Sequence, residues 1–315
     1  MRKKVVVLGG GTGMSSLLRG LKEFPIDITA VVSVCDDGQS TGRLRREFNI
    51  PAVGDIRKVL VSLSETEPLV EQLLNYRFNT TSDLNGHTVG NLLLTAMGNM
   101  TGNMSDGIEA ISKILNLHGK ILPLTEDNVT LVAKMSDGEV VEGEHNITEC
   151  GKKIKKVYYL EKPKINYAVL DEIRKSDLVI LSMGSIYTSI IPNLLCKEII
   201  DLLEEIDTPI MYTCNMMTQP GETDGLMVSD HINIINQYLG KRKIDVIVAN
   251  DGKISEEMRK KYETLEQKDP VILDRKHIKD VYIISNDYVT VENNYLRHDT
   301  ILLSLDIFKY LISKK

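Results

Sequence analysis

Tryptophan is absent from this chain of 315 residues, phenylalanine occurs only four times, and aromatic residues make up 5%. A broad aromatic platform for a large flat cofactor is hard to assemble from so few rings. The four cysteines, Cys35, Cys150, Cys196 and Cys214, form no C-x-x-C pair and lie far apart, so buried free thiols in a reducing cytoplasm are expected. No apolar run approaches the ~18 residues that a membrane span needs. Met1-Arg2-Lys3-Lys4 and the short run after it imitate a signal peptide. That run is too short, is broken by glycines and is followed by no small-residue cleavage site. A net charge of −6 gives no basic footprint for nucleic acid. G-x-x-x-x-G-K-[S/T] and G-x-S-x-G do not occur, so an ordinary P-loop NTPase and a serine-nucleophile elbow are not expected.

What is present begins at once. Lys4-Val5-Val6-Val7-Leu8 runs into Gly9-Gly10-Gly11-Thr12-Gly13 and then into a helical pattern over residues 14–23. Strand, glycine turn and helix in succession bring free N–H groups close to a ligand, which suits a phosphate. The turn is not a strict G-x-G-x-x-G, so it occurs in many α/β folds and is weak evidence alone. Apolar runs and helical periodicity alternate along most of the chain: strands over 28–34, 178–183, 210–213, 245–249 and 281–285, and helices over 55–64, 68–78, 87–100, 105–117, 194–206, 228–239, 256–266 and 300–312. This rhythm predicts an α/β, Rossmann-like fold with a mainly parallel sheet flanked by helices. Short alternating runs at 129–135, 139–141 and 155–160, separated by turns such as Ser136-Asp137-Gly138, predict a small antiparallel β insertion at 125–160. One domain over 1–315 carries it. Lys152, Lys153, Lys155 and Lys156 read as its solvated face.

Open α/β sheets bind ligands beyond the carboxyl ends of their strands. Residues at those ends are rich in Gly, Ser, Thr, Asn and Asp: Gly10, Gly11, Thr12 and Gly13; Asp36, Asp37, Ser40 and Arg43; Gly184, Ser185, Tyr187 and Thr188; Asn215, Thr218, Gln219 and Glu222; and Asn250. Asp36 or Asp37 could hold a ribose hydroxyl, or the pair could hold Mg²⁺ against a pyrophosphate, or they cap a solvated turn. One of Arg43, Arg45 and Arg46 could clamp a phosphate, Arg43 being the candidate, while the others read as surface charges. Asp55 is a candidate ligand contact, or no more than a helix N-cap. His87 and Asn91, four apart on one helical face, either reach a ligand together or satisfy the helix and core. Asp299 or Thr300 would cap the last helix, with Arg297 and His298 in the loop just outside it.

Taken together, residues 9–13, 36–45, 54–57, His87 with Gly90-Asn91-Leu92, 184–189, 218–223, 228–231 and 297–299 make the chain resemble the CofD-like superfamily, and more closely its YvcK branch of gluconeogenesis factors. The resemblance covers essentially the whole chain. It implies a UDP-N-acetylglucosamine ligand bound without known turnover, and a role in cell-wall synthesis and cell shape during gluconeogenic growth. Cell-wall synthesis proteins as partners, and a homodimer, follow from it. So do Tyr262 and Arg297 as ligand contacts and Thr300 as a phosphorylated regulatory position. The sibling branch transfers a phospholactyl group from a nucleotide diphosphate carrier with Mg²⁺, its paired aspartates corresponding to Asp36 and Asp37; a transferase of that kind is the alternative reading. No cofactor is required on the first reading, although Mg²⁺ is compatible and NAD or another nucleotide could bind adventitiously. The chain departs from the usual family pattern at Gln39 and Thr41, where glycine and serine are common, and at Ser182-Met183-Gly184-Ser185, where Gly-Pro-Gly-Ser is common.

Overall fold

A computed structural model describes residues 2–65, 68–292 and 294–313. Seven strands form one parallel sheet in the order β10-β9-β8-β7-β1-β2-β3. They are β1 (Lys3–Gly9), β2 (Ile26–Val32), β3 (Lys120–Pro123), β7 (Leu178–Leu181), β8 (Ile210–Thr213), β9 (Val246–Asn250) and β10 (Tyr282–Asn286). A second sheet, β5 (Val140–Glu142), β4 (Leu131–Met135) and β6 (Ile154–Tyr159), is antiparallel and lies within the expected insertion. A hairpin of β11 (Val289–Glu292) and β12 (Tyr295–His298) completes the strands.

The central strands are apolar along their length because both faces are covered; Leu178–Leu181 and Ile210–Thr213 are buried throughout. Helix Gly11–Leu21 turns Met14, Leu17, Leu18 and Leu21 onto the sheet, a one-sided 3.6-residue pattern. From β1 the chain winds outward through β2 to β3, then returns to β7 on the other side of β1 and winds outward again. The strand order therefore reverses between β1 and β7, where a crevice opens at the carboxyl ends. No helix among the described residues is long and apolar enough to cross a membrane.

Four expectations need correction. Residues 39–48 are a helix, Gln39–Phe48, not part of a loop. Its ten residues are mostly polar and arginine-rich, so the apolar period that marks a helix is faint. Asp55 does not cap its helix: Val53 is the N-cap, and the Asp55 carboxylate instead accepts the Gly11 N–H. The helix expected from His87 starts at Val89, with Thr88 as N-cap accepting the Asn91 N–H, so His87 stands before the helix and not on its face. Arg297 and His298 lie on β12, not in a loop. Asp299 does cap the last helix, Thr300–Ser313, accepting the Leu302 N–H at 2.9 Å.

Candidate functional site

The crevice between β1 and β7 widens into a cavity of about 730 Å³. Its floor is the end of β1 and the first turn of helix Gly11–Leu21, with Thr12, Gly13, Ser15 and Ser16. Gly10, the N-cap, has no side chain to cap this first turn, and the Asp55 carboxylate takes the Gly11 N–H in its place. Gly11 has φ +68°, a left-handed conformation that favours glycine. Gly13 is required for a different reason: any Cβ there would overlap the Met183 carbonyl at the end of β7. The glycine turn thus lets two strand ends approach each other as well as a ligand.

The wall beyond β8 consists of Asn215, Met216, Met217, Thr218 and Gln219. Thr218 is fixed by a reciprocal pair with Asp269, its N–H donating at 2.7 Å and its hydroxyl accepting at 2.8 Å. Asn215 donates to the Gly184 carbonyl at 3.0 Å, while its own side-chain carbonyl oxygen is buried without a partner.

The opposite wall comes from helix Glu256–Glu266 and the β11–β12 hairpin. Tyr262 is buried with Met216 and Leu296 in a small hydrophobic cluster separate from the main core, and its hydroxyl accepts the Leu296 N–H at 2.8 Å. Arg297 projects over the Tyr295 ring, 5.4 Å from its centroid. Four cations line the cavity: Arg19, Lys58, Lys268 and Arg297. Arg19 pairs with Glu71, Lys58 with Asp55 at 2.9 Å and Lys268 with Glu266 at 2.7 Å. Arg297 has no carboxylate partner among the described residues. Thr300, at the start of the last helix, completes the lining.

Of the expected residues, Thr12, Gly13, Asn215, Thr218, Gln219, Tyr262, Arg297 and Thr300 therefore share one cavity. The others form neighbouring polar groups. Ser185 donates to Glu222 at 2.5 Å and accepts from Thr188. Burial pushes the Glu222 carboxyl upward and the Tyr187 phenol up to about 12. Gly184 packs against the Gly10 carbonyl. Ser40 bridges His87 at 3.0 Å and Asn91 at 3.1 Å, and Arg57 joins Asn91 to Asn75 on the cavity rim. His87 and Asn91 thus meet through a serine on a third segment. Arg43 is exposed and contacts the Asp83 carbonyl, and Asn250 is occupied by Gly252 and Tyr288; neither lines the cavity.

Below the glycine turn, carboxylates gather. Burial, followed by repulsion from Asp36 and Asp55, raises the Glu144 carboxyl to about 7. Asp55 is raised by burial and lowered in part by Lys58. Three of these carboxylates already accept protein donors. Asp36 accepts from the Gly38 N–H and the Thr41 hydroxyl, Asp37 from the His145 N–H, and Asp55 from Lys58. Among the described residues no three His, Cys, Asp or Glu side chains are arranged to hold a metal ion.

Sequence reasoning missed Arg19, Lys58, Lys268 and Tyr295 as cavity residues. Lys58 carried a signal, since it lies three residues after Asp55 on one helical face. Lys268 carried none, because only the fold brings it to the cavity.

Comparison with known proteins follows the same lines. Residues 5–289 match a family described as 2-phospho-L-lactate transferase CofD. A protein named gluconeogenesis factor from Bacillus subtilis (strain 168) is 46% identical over 303 residues, covering 95% of each chain. One of the same name from Halalkalibacterium halodurans is 46% identical over 301 residues, covering 95% of this chain and 93% of that one. A crystal structure of a Bacillus halodurans protein superposes with a TM-score of 0.94 at 45% identity, covering 98% of this chain and 100% of that chain.

Proposed function

The chain belongs to the CofD family, on its gluconeogenesis-factor branch, and from that premise we propose that it is a regulatory protein which binds UDP-N-acetylglucosamine in the β1–β7 cavity and does not turn it over. The observation that carries this reading is the pairing, in one cavity, of a glycine turn that opens a helix with an arginine that has no carboxylate partner among the described residues. A diphosphate would take the N–H groups of Thr12 and Gly13 and the Arg297 guanidinium, since both favour negative charge. A cavity of about 730 Å³ is within the range of small-molecule sites.

The protein so loaded would act on cell-wall synthesis proteins as a homodimer and support cell shape during gluconeogenic growth. Thr300 lies in the cavity, so phosphorylation there would place a dianion where the ligand's phosphates sit. A Mg²⁺-dependent transferase is the second reading, favoured by the carboxylates gathered near the glycine turn; their engagement by protein donors weighs against it. Calorimetric titration with UDP-N-acetylglucosamine, GDP and NAD, with and without Mg²⁺, separates the two. Saturable UDP-sugar binding with the sugar nucleotide recovered intact supports the regulator. Mg²⁺-dependent consumption of a nucleotide diphosphate ester overturns it.

A further inference from the structure

Among the cations around the cavity, Lys58 stands in a particular relation to the glycine turn. The buried Asp55 carboxylate accepts the Gly11 N–H, and a Cβ on Gly10 would lie 2.7 Å from its Oδ2. A negative charge therefore sits directly against the turn, and Asp36 behind it adds to the same field. A phosphate brought to the Thr12 and Gly13 N–H groups approaches that charge, and like charges at such range repel strongly where water is scarce. Left uncompensated, Asp55 would work against the diphosphate that the proposed function places here.

Lys58 supplies the compensation. It follows Asp55 by three residues on one face of helix Gly54–Leu63, and its Nζ donates to Asp55 Oδ1 at 2.9 Å. An ammonium carries three donors. Asp55 engages one, and no second acceptor for Lys58 occurs among the described residues. The side chain is 37% exposed and forms part of the cavity lining, so the remaining donors are open to a ligand. The other cations are placed differently. Arg19 leaves its helix about 10 Å further along the axis than Thr12, Lys268 is held by Glu266 on the opposite wall, and Arg297 comes from the hairpin. We propose that Lys58 is a ligand-binding residue whose ammonium bridges the Asp55 carboxylate and the phosphate nearest the glycine turn. With Lys58 beside the turn and Arg297 on the opposite wall, each of two phosphates has its own cation, and the site selects a diphosphate over a monophosphate. The proposal rests on the UDP-sugar reading above and assigns the residue that makes the turn receptive to it.

Calorimetric titration of the full chain with UDP-N-acetylglucosamine, UDP and UMP tests it. The unmodified protein is expected to bind UDP about tenfold more tightly than UMP. Lys58→Gln is expected to raise the Kd for UDP and for the UDP-sugar roughly 30-fold and to narrow the preference over UMP to about threefold or less, whereas Lys58→Arg, which keeps the charge, stays within about fivefold of wild type. Adding Asp55→Asn to Lys58→Gln removes the charge that Lys58 offsets, and is expected to recover about threefold or more of the lost affinity. Should Lys58→Gln not fold, acetylation of the unmodified protein with acetic anhydride gives the readout. Saturating UDP-N-acetylglucosamine is expected to slow modification of Lys58 about fivefold, and to leave unchanged that of Lys113, which is 75% exposed and outside the cavity. An unmodified protein that binds none of the three nucleotides overturns the reading of the cavity together with the role of Lys58. Nucleotide binding without preference for UDP over UMP, a Lys58→Gln variant within twofold of wild type, or Lys58 acetylation unaltered by bound ligand overturns the role of Lys58 alone.

Discussion

Replacing Arg297 by alanine is the most direct challenge to the proposed ligand site. The guanidinium stands over Tyr295, donates to the Leu296 carbonyl at 3.0 Å, and among the described residues has no carboxylate partner of the kind that Arg19, Lys58 and Lys268 each have. Its removal leaves no buried charge unpaired, so the cost in affinity comes from the phosphate contact itself. A hydrogen bond to a charged group contributes about 1.5–3 kcal/mol, which is roughly a 10- to 150-fold rise in Kd. Arg297 is exposed, so salt screening places the expected value at the lower end, near 10-fold at physiological ionic strength. Arg297→Lys keeps the charge and loses the planar fork, and is expected to fall between wild type and alanine. Calorimetric titration with UDP-N-acetylglucosamine at two salt concentrations measures both effects. Stability is expected to change by no more than about 0.5 kcal/mol, because the side chain is at the surface. An alanine variant that binds within twofold of wild type refutes the assignment of Arg297 to the ligand's phosphates.

Three further outcomes are expected. Thr300→Glu puts a carboxylate into the cavity and should weaken sugar-nucleotide binding, whereas Thr300→Val should not; equal affinities for both would remove Thr300 from the site. Gly13→Ala drives a Cβ into the Met183 backbone and should destabilise the fold by more than ~1 kcal/mol in denaturant melts, with ligand binding lost alongside. His231 is fully buried, with burial holding its imidazole down to about 4 from an ordinary 6.5, so the unfolded chain takes up a proton that the folded chain refuses. Stability should therefore fall as pH drops from about 6.5 toward 4, by as much as ~3 kcal/mol from this group; His231→Asn should flatten that slope in urea melts at stepped pH, and an unchanged slope would count against the cause.

The parallel sheet was legible because Val5–Leu8, Leu178–Leu181 and Ile210–Thr213 are buried on both faces, and such strands must be apolar throughout. The insertion was legible for the opposite reason, since Lys134 and Lys156 alternate with buried Ala133 and Val157 on strands with one wet face. Gln39–Phe48 was hidden by its composition: Arg43, Arg45 and Arg46 leave little apolar period, and Arg45 is buried by donating to the Cys35 and Asp36 carbonyls and to Asn128. β3 and the β11–β12 hairpin were hidden by brevity, four residues each, too few for a period to show.

The candidate site divides along the same line. Residues that follow a strand directly, such as Gly13 and Asn215, could be named from their position, because strand ends converge wherever a parallel sheet reverses its order. Residues reaching the cavity from helices on the far side could not. Lys58 faces it only because Asp55, leaving the capping position, turns to the Gly11 N–H and holds the lysine beside it. Tyr262 faces it because its hydroxyl takes the Leu296 N–H on a hairpin 34 residues away. Both placements depend on a hydrogen bond between segments that the fold alone makes neighbours. That dependence has a consequence for ligand affinity: Tyr262→Phe keeps the ring and leaves the Leu296 N–H buried without an acceptor, at a cost of about 1–3 kcal/mol. The satellite cluster that holds this wall is small, with Met216 and Leu296 as its other buried members. The loss should therefore emerge as a looser wall and weaker binding before it emerges as global unfolding, and hydrogen exchange at residues 256–266 should rise while the core strands stay protected.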